Sequence, residues 1–130
     1  MRRSAAGPPE SPGPLPLTPV EFHVLLSLSG GDLHGYAILQ DVASRTGGQI
    51  RLRTGTLYTV VKRMLDGGWL VEAETRPKAG DDQRRRYYRL TPLGRGVLRE
   101  EALRLQTLVA LAQEKRILPA TRRLAAERGR

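Results

Sequence analysis

Cysteine is absent from the chain, which excludes disulfides, thiolate zinc sites and a cysteine nucleophile. Aromatic residues make up only 5%, so a core must be filled mostly by aliphatic side chains. No apolar run approaches the ~18 residues that would suggest a membrane span. The first nineteen residues start basic but lack an apolar stretch, so they do not read as a secretory signal. Together these absences point to a protein of the cytoplasm. Histidine is scarce as well. His23 and His34 have no second histidine or carboxylate at metal spacing, so neither reads as a ligand, and no cofactor is expected. The chain shows no glycine-rich phosphate loop, no paired carboxylates and no nucleophile–base arrangement, which argues against an enzyme.

What the chain does have is positive charge. Its 130 residues carry 22 Lys+Arg against 13 Asp+Glu, a net +9 with a pI near 11.0. That is the electrostatic footprint of a nucleic-acid binder. The length suits one domain plus an appendage.

Four segments emerge along the chain. Residues 1–16 hold Pro8, Pro9, Pro12, Pro14 and Pro16 and little to bury, so they read as a disordered lead-in whose Arg2 and Arg3 are solvated. Residues 17–91 carry the pattern of a winged helix. Thr18-Pro19-Val20-Glu21 is a capping box with proline at the first helical position, and Val20, Val24, Leu25 and Leu28 form the stripe behind it. A second helix is expected from residues 32–34 to Arg45, with Tyr36, Leu39 and Ala43 on its buried side. Ile50-Arg51-Leu52 alternates as a short strand does. Thr54 is placed to cap a third helix, in which Leu57, Val60, Val61, Met64 and Leu65 recur at helical spacing. Residues 69–75 and 86–90 read as strands joined by a polar loop, 76–85. Trp69 belongs in the core, and of Tyr87 and Tyr88 one faces inward. Thr91-Pro92 repeats the cap-plus-proline signal and opens a helix over residues 92–118, which Pro119 should end. Residues 119–130 form a basic tail. The fold class is therefore mainly α (α+β): a winged helix-turn-helix with a long C-terminal helix.

The third helix has an apolar stripe that must face the first two helices. Its other face carries Gly55, Thr56, Thr59, Lys62 and Arg63, with Tyr58 to one side and no acidic residue from Arg51 through Leu65. A major groove admits one helix, and such residues can reach base edges or phosphates. A solvated helix face has a similar composition, but the hairpin adds weight. Arg76, Lys78, Arg84, Arg85, Arg86 and Arg89 oppose only Asp81 and Asp82 there, a local net of +4. The residues assigned to duplex DNA are Tyr36, Arg53, Thr54, Gly55, Thr56, Tyr58, Thr59, Lys62 and Arg63, with Lys78, Arg84, Arg85 and Arg86 on the wing. A winged helix that docks RNA or protein instead is the alternative, and fold alone does not choose.

Leu98, Ala102, Leu105, Val109 and Ala112 follow a 4-3-4-3 spacing, and Leu108 widens the stripe. At ~1.5 Å per residue the last helix would run roughly 40 Å, more than a small domain can cover. Homodimerisation through Leu98, Ala102, Leu105, Leu108, Val109 and Ala112 is the expectation.

Several short segments lie in register with a known family. Leu33-His34-Gly35-Tyr36, Gly55-Thr56-Leu57-Tyr58, Gly68-Trp69-Leu70 and Arg85-Arg86-Tyr87-Tyr88-Arg89-Leu90-Thr91, followed by Gly94, make residues 17–98 resemble the PadR family of bacterial transcriptional regulators. The single C-terminal helix is similar to the short subfamily, while Thr59 stands where the family often has proline. The resemblance implies a bacterial, nucleoid-associated dimeric repressor on a pseudo-palindromic operator. It implies the helix of residues 54–67 in the major groove, residues 76–89 as wing, and by analogy a small-molecule effector of unknown identity.

Overall fold

In the computed structural model, which describes residues 15–74 and 86–120, four helices pack around a small antiparallel sheet. Helix α1 spans Pro19–Leu28, and its capping box forms as the sequence indicates. Thr18 Oγ1 accepts from the Glu21 amide at 3.1 Å, and Glu21 Oε1 accepts from the Thr18 amide at 2.8 Å. Strand β1 is only Leu33–His34, and α2 follows over Gly35–Arg45. Helix α3 is Thr54–Asp66, strands β2 and β3 are Leu70–Ala73 and Tyr87–Leu90, and α4 is Pro92–Glu114. The sheet order is β1-β3-β2, with Leu33 opposite Tyr88 and Leu70 opposite Leu90. No helix among the described residues is long and apolar enough to cross a membrane.

The core lies where α1, α2 and α3 meet the sheet. Val24, Leu25 and Leu28 of α1 contact Ile38 and Val42 of α2 and Leu57, Val61 and Met64 of α3 in one buried cluster. Trp69 and Tyr88 close it from the hairpin side, so Tyr88 is the inward tyrosine.

Several local expectations need correction. Helix α2 begins at Gly35 because Leu33 and His34 are drawn into pairing with β3, and His34 Nδ1 then caps the helix by accepting the Ala37 amide at 3.1 Å. Its fully buried stripe is Gly35, Ile38 and Val42; of the expected set, Leu39 is half-buried and packs against the core, Ala43 is half-buried, and Tyr36 is turned out, 54% exposed. Both sets have helical spacing, and the set led by the smallest residue takes the crowded side. Ile50-Arg51-Leu52 forms no strand; Ile50 and Leu52 instead pack half-buried against the core. Thr54 is the first residue of α3; Arg53 is its N-cap and makes no side-chain cap bond. Strand β2 is shorter than residues 69–75, and Thr75 lies outside the described residues together with 76–85. The boundaries drawn for the lead-in and the basic tail fall largely on residues 1–14 and 121–130, also outside them.

Helix α4 stops four residues before Leu118. The Arg116 amide bonds to the Gln113 carbonyl and the Ile117 amide to the Ala112 carbonyl, the double bond of a Schellman end. Arg116 takes the left-handed position, φ 64°, where glycine is usual. Pro119 therefore follows a helix that has already ended.

Along α4 one charged group is buried. Glu101 is 2% exposed, and both its oxygens accept from Arg104, at 2.7 and 2.8 Å. Hydrogen bonds from Arg104 hold its carboxyl below the usual glutamate range, against burial, which pushes the other way. The charge of Arg104 and a backbone bond from Leu17 add to the lowering. Glu101 thus ties α4 to the residue that leads into α1. A lowered folded-state pKa contributes stability above the unfolded value, about 4.3, which is lost as pH falls through the folded value. Glu101→Gln should therefore lower the thermal midpoint at pH 6 to 7, and its gap from the wild type should begin to narrow below the unfolded value of about 4.3 and shrink further as pH falls. Melting curves across pH 3–7 check this, and a gap that stays constant contradicts it.

Candidate nucleic-acid interface

Burial of Leu57, Val60, Val61 and Met64 fixes the rotation of α3 about its axis. Gly55, Thr56, Thr59 and Lys62 are left exposed, with Thr54 at the start of the helix. Beyond the first turn, Thr59 Oγ1 donates to the Gly55 carbonyl at 3.0 Å, so its hydroxyl proton is already engaged. Lys62 reaches along the helix to Asp66 at 3.1 Å, both side chains well exposed. Such an i,i+4 pair is worth only about 0.3–0.5 kcal/mol and yields readily to a phosphate. The residue types at the helix start are small, so another backbone can come close to it.

Arg51 and Arg53 flank that helix start and are exposed. The Arg51 guanidinium lies over Gly48, whose φ of +83° and missing Cβ make the space. The first turn of α3 has no side-chain cap, and two arginines precede it in sequence, a favourable setting for an anion.

Tyr58 sits on the flank toward α2. Its hydroxyl rests against Gly35, where a Cβ would overlap Tyr58 Oη and crowd Cζ. The Gly35 and Tyr58 motifs are thus two halves of one contact. The phenol is held there while the side chain remains 44% exposed. Tyr36, one residue into α2, presents its ring on the outer surface nearby in sequence.

Arg63 lies on the opposite flank. Its Nη2 contacts Glu21 Oε2 of α1 at 2.6 Å, and the same carboxylate closes the α1 capping box. The sequence assignment of Arg63 to DNA missed this partner, because it lies 42 residues away. The capping box predicted a use for Glu21 Oε1 but gave no sign of the second oxygen's role.

At the hairpin, Arg86 crosses to Glu72 Oε2 at 3.1 Å and remains exposed. Arg89 is engaged elsewhere. It makes two bonds to Asp32, at 3.0 and 2.9 Å, which tie β3 to the turn before β1. The wing residues Lys78, Arg84 and Arg85 lie outside the described residues. The structure therefore groups Arg51, Arg53, Thr54, Gly55, Thr56, Tyr58, Thr59 and Lys62 on one surface. It sets Arg63 to its side, in contact with α1.

On α4, the expected seam divides. Leu98 is buried against its own domain, and Gly94 and Glu101 share that side. Farther along, Leu105 and Ala112 are half-buried, Ala102 is exposed, and Leu108 and Val109 are 47% and 45% exposed.

Comparisons with known proteins place this geometry. Residues 24–100 match the model of the transcriptional regulator PadR-like family. The chain is 35% identical over 89 residues to Transcriptional regulator Rv3488 of Mycobacterium tuberculosis, covering 68% of this chain and 78% of that one. A PadR family transcription regulator from Clostridium difficile shares the fold at TM-score 0.61 and 23% identity, over 73% of this chain and 95% of that one. Bacillus subtilis PadR, solved in complex with operator DNA, shares it at TM-score 0.54 and 23% identity, over 62% of this chain and 45% of that longer one.

The Gly35–Tyr58 contact has a measurable consequence. Gly35→Ala should leave the fold within about 1 kcal/mol of the wild type, because alanine's helix propensity offsets the displacement of one flexible side chain. Tyr58 should nonetheless swing away, raising its fluorescence quenching by iodide. Unchanged quenching, or global unfolding, would contradict a local displacement.

Proposed function

The chain belongs to the PadR-like family of transcriptional regulators, and on that premise we propose that it is a repressor that binds a pseudo-palindromic DNA operator as a homodimer. Helix α3 enters the major groove with Gly55, Thr56, Thr59 and Lys62 toward the bases. Tyr58, Arg51, Arg53 and Thr54 hold phosphates beside it, and Tyr36 lies at the edge of this footprint. The wing, with Arg86 at its described end and Lys78, Arg84 and Arg85 beyond it, runs along the backbone or the minor groove. The observation that carries this reading is the outer face of α3: small, hydroxyl-bearing and basic, it is the side left over once the apolar stripe is buried. The family relative solved on operator DNA has the same fold, which supports the choice of duplex DNA over RNA or protein.

Dimerisation is assigned to the part of α4 that stands clear of the domain. Leu105, Leu108, Val109 and Ala112 continue the side on which Leu98 is already buried, and Leu103 and Leu111 extend apolar surface around the helix. An exposed apolar stripe on an amphipathic helix is a surface to be covered. A second copy buries it, and two-fold symmetry then places two α3 helices on one face of the duplex. Ala102 lies at the rim, while Leu98 serves its own core.

Arg63 is assigned to holding α3 against α1 and not to reading a base. Arg63→Ala and Glu21→Gln should then weaken binding by a similar factor on every operator variant in gel shifts. A loss confined to one base position would reassign Arg63 to base reading.

The function itself is tested by gel shift on DNA selected from a random pool, across a salt series. Each neutralised phosphate contributes about −0.9 to the slope of log K against log salt, so a dimer should give a slope steeper than about −4. Leu108→Glu changes an exposed residue, so it should leave the fold intact, yield monomers in sedimentation and abolish tight operator binding. Equal affinity for double-stranded RNA, or an intact Leu108→Glu dimer, would overturn the reading.

A further inference from the structure

Helices α3 and α4 are 25 residues apart in sequence, yet their ends share one backbone joint. Gly67 ends α3, Gly68 follows at φ +82°, and the Trp69 amide returns to the Met64 carbonyl at 2.9 Å. The Trp69 carbonyl then accepts from the Thr91 amide at 3.0 Å, immediately before α4. Thr91 Oγ1 lies 2.6 Å from the Gly68 carbonyl and 3.0 Å from that of Trp69, while it accepts the Gly94 amide at 3.0 Å. The first turn of α4 is thus laid on the chain that leaves α3, with no long side chain between them. Gly94 is what permits this. A Cβ there would overlap the Trp69 carbonyl oxygen and press on Leu90 Cδ1 at 2.9 Å. The obstacle is backbone already fixed by two hydrogen bonds, so relief must come from α4 lifting away.

We infer that this joint, centred on Gly94, sets the spacing between operator half-sites that the dimer accepts. The inference rests on the proposed reading, in which α3 enters DNA and the outer part of α4 pairs with a second copy. Leu98 and Glu101 hold α4 to the domain just beyond the joint, so lifting at Gly94 becomes a tilt about them. From Leu98 to Ala112 the helix runs roughly 21 Å at ~1.5 Å per residue. A tilt of ~10° moves its far end by roughly 4 Å, comparable to the ~3.4 Å rise of one base pair. A single methyl group at the joint is therefore enough to change the preferred register of two reading helices.

The test uses the full chain and its selected operator, with the spacer between half-sites altered from −2 to +2 base pairs in gel shifts. The wild type should prefer one spacer by about tenfold or more. Gly94→Ala should move the optimum by a base pair or flatten the preference below about threefold. It should remain dimeric in sedimentation and keep the same base preferences within each half-site. Thr91→Val, which removes the side-chain bonds without adding bulk against Trp69, should broaden the tolerance, and Thr91→Ser should retain the wild-type profile. Should Gly94→Ala fail to fold, the valine–serine pair decides. A wild-type spacing profile in folded Gly94→Ala or Thr91→Val would overturn the joint's role alone. A wild type that is monomeric or selects no operator would instead strike the reading on which the inference rests.

Discussion

Leu57, Val60, Val61 and Met64 must leave water together, and α1, α2 and the hairpin offer the surfaces that cover them. Burying one such side chain is worth about 1.5–3 kcal/mol, so no competing surface interaction can rotate α3 away from this position. Everything on its outer face follows from that. Gly55, Thr56, Thr59 and Lys62 are turned outward by the same rotation that turns the four apolar residues inward. Tyr58 and Arg63 fall on the two flanks, where each finds a neighbour: Gly35 of α2 for one and Glu21 of α1 for the other. Helix α3 is thus steadied from both sides by residues that leave its outer face clear.

Helix α4 works under a different constraint. Its first turns are committed to the domain through Thr91, Gly94, Leu98 and Glu101, and its later turns project beyond it with Leu108 and Val109 exposed. One continuous apolar side therefore serves two purposes in succession, internal packing and then an offered surface. The change occurs near Glu101, whose carboxylate is held by Arg104 one turn along the same helix and takes a backbone bond from Leu17 ahead of α1. The joint with α3 is made of backbone, through Gly68, Trp69, Thr91 and Gly94, and not of flexible side chains.

Much of this was legible in the sequence because the signals are local. The capping box at Thr18 and Glu21, the cap at Thr91, the stripe of α3 and the core role of Trp69 are each carried by residues within one or two turns of each other. The motifs around Gly35, Tyr58 and Gly94 made the family resemblance recognisable, although the contacts that explain these glycines appear only in three dimensions. What was misread depends on distant partners. Leu33 and His34 become a strand only because Tyr87 and Tyr88 arrive beside them. The inward side of α2 was ambiguous because two apolar sets shared the same period, and the close approach of Tyr58 to Gly35 settles it. The ion pair of Arg63 with Glu21, 42 residues away, has no local signal either. The end of α4 was assigned to Pro119, whereas Arg116 adopts a conformation that sequence rules reserve for glycine.

In the proposed complex, two copies of α3 lie in successive major grooves of one duplex. Methylation interference at guanine N7, which projects into the major groove, reports this arrangement on operator DNA selected by the protein. Two clusters of interference centred about 10 base pairs apart, related by the operator's two-fold, are expected. A single cluster, or interference restricted to adenine N3 in the minor groove, would contradict it.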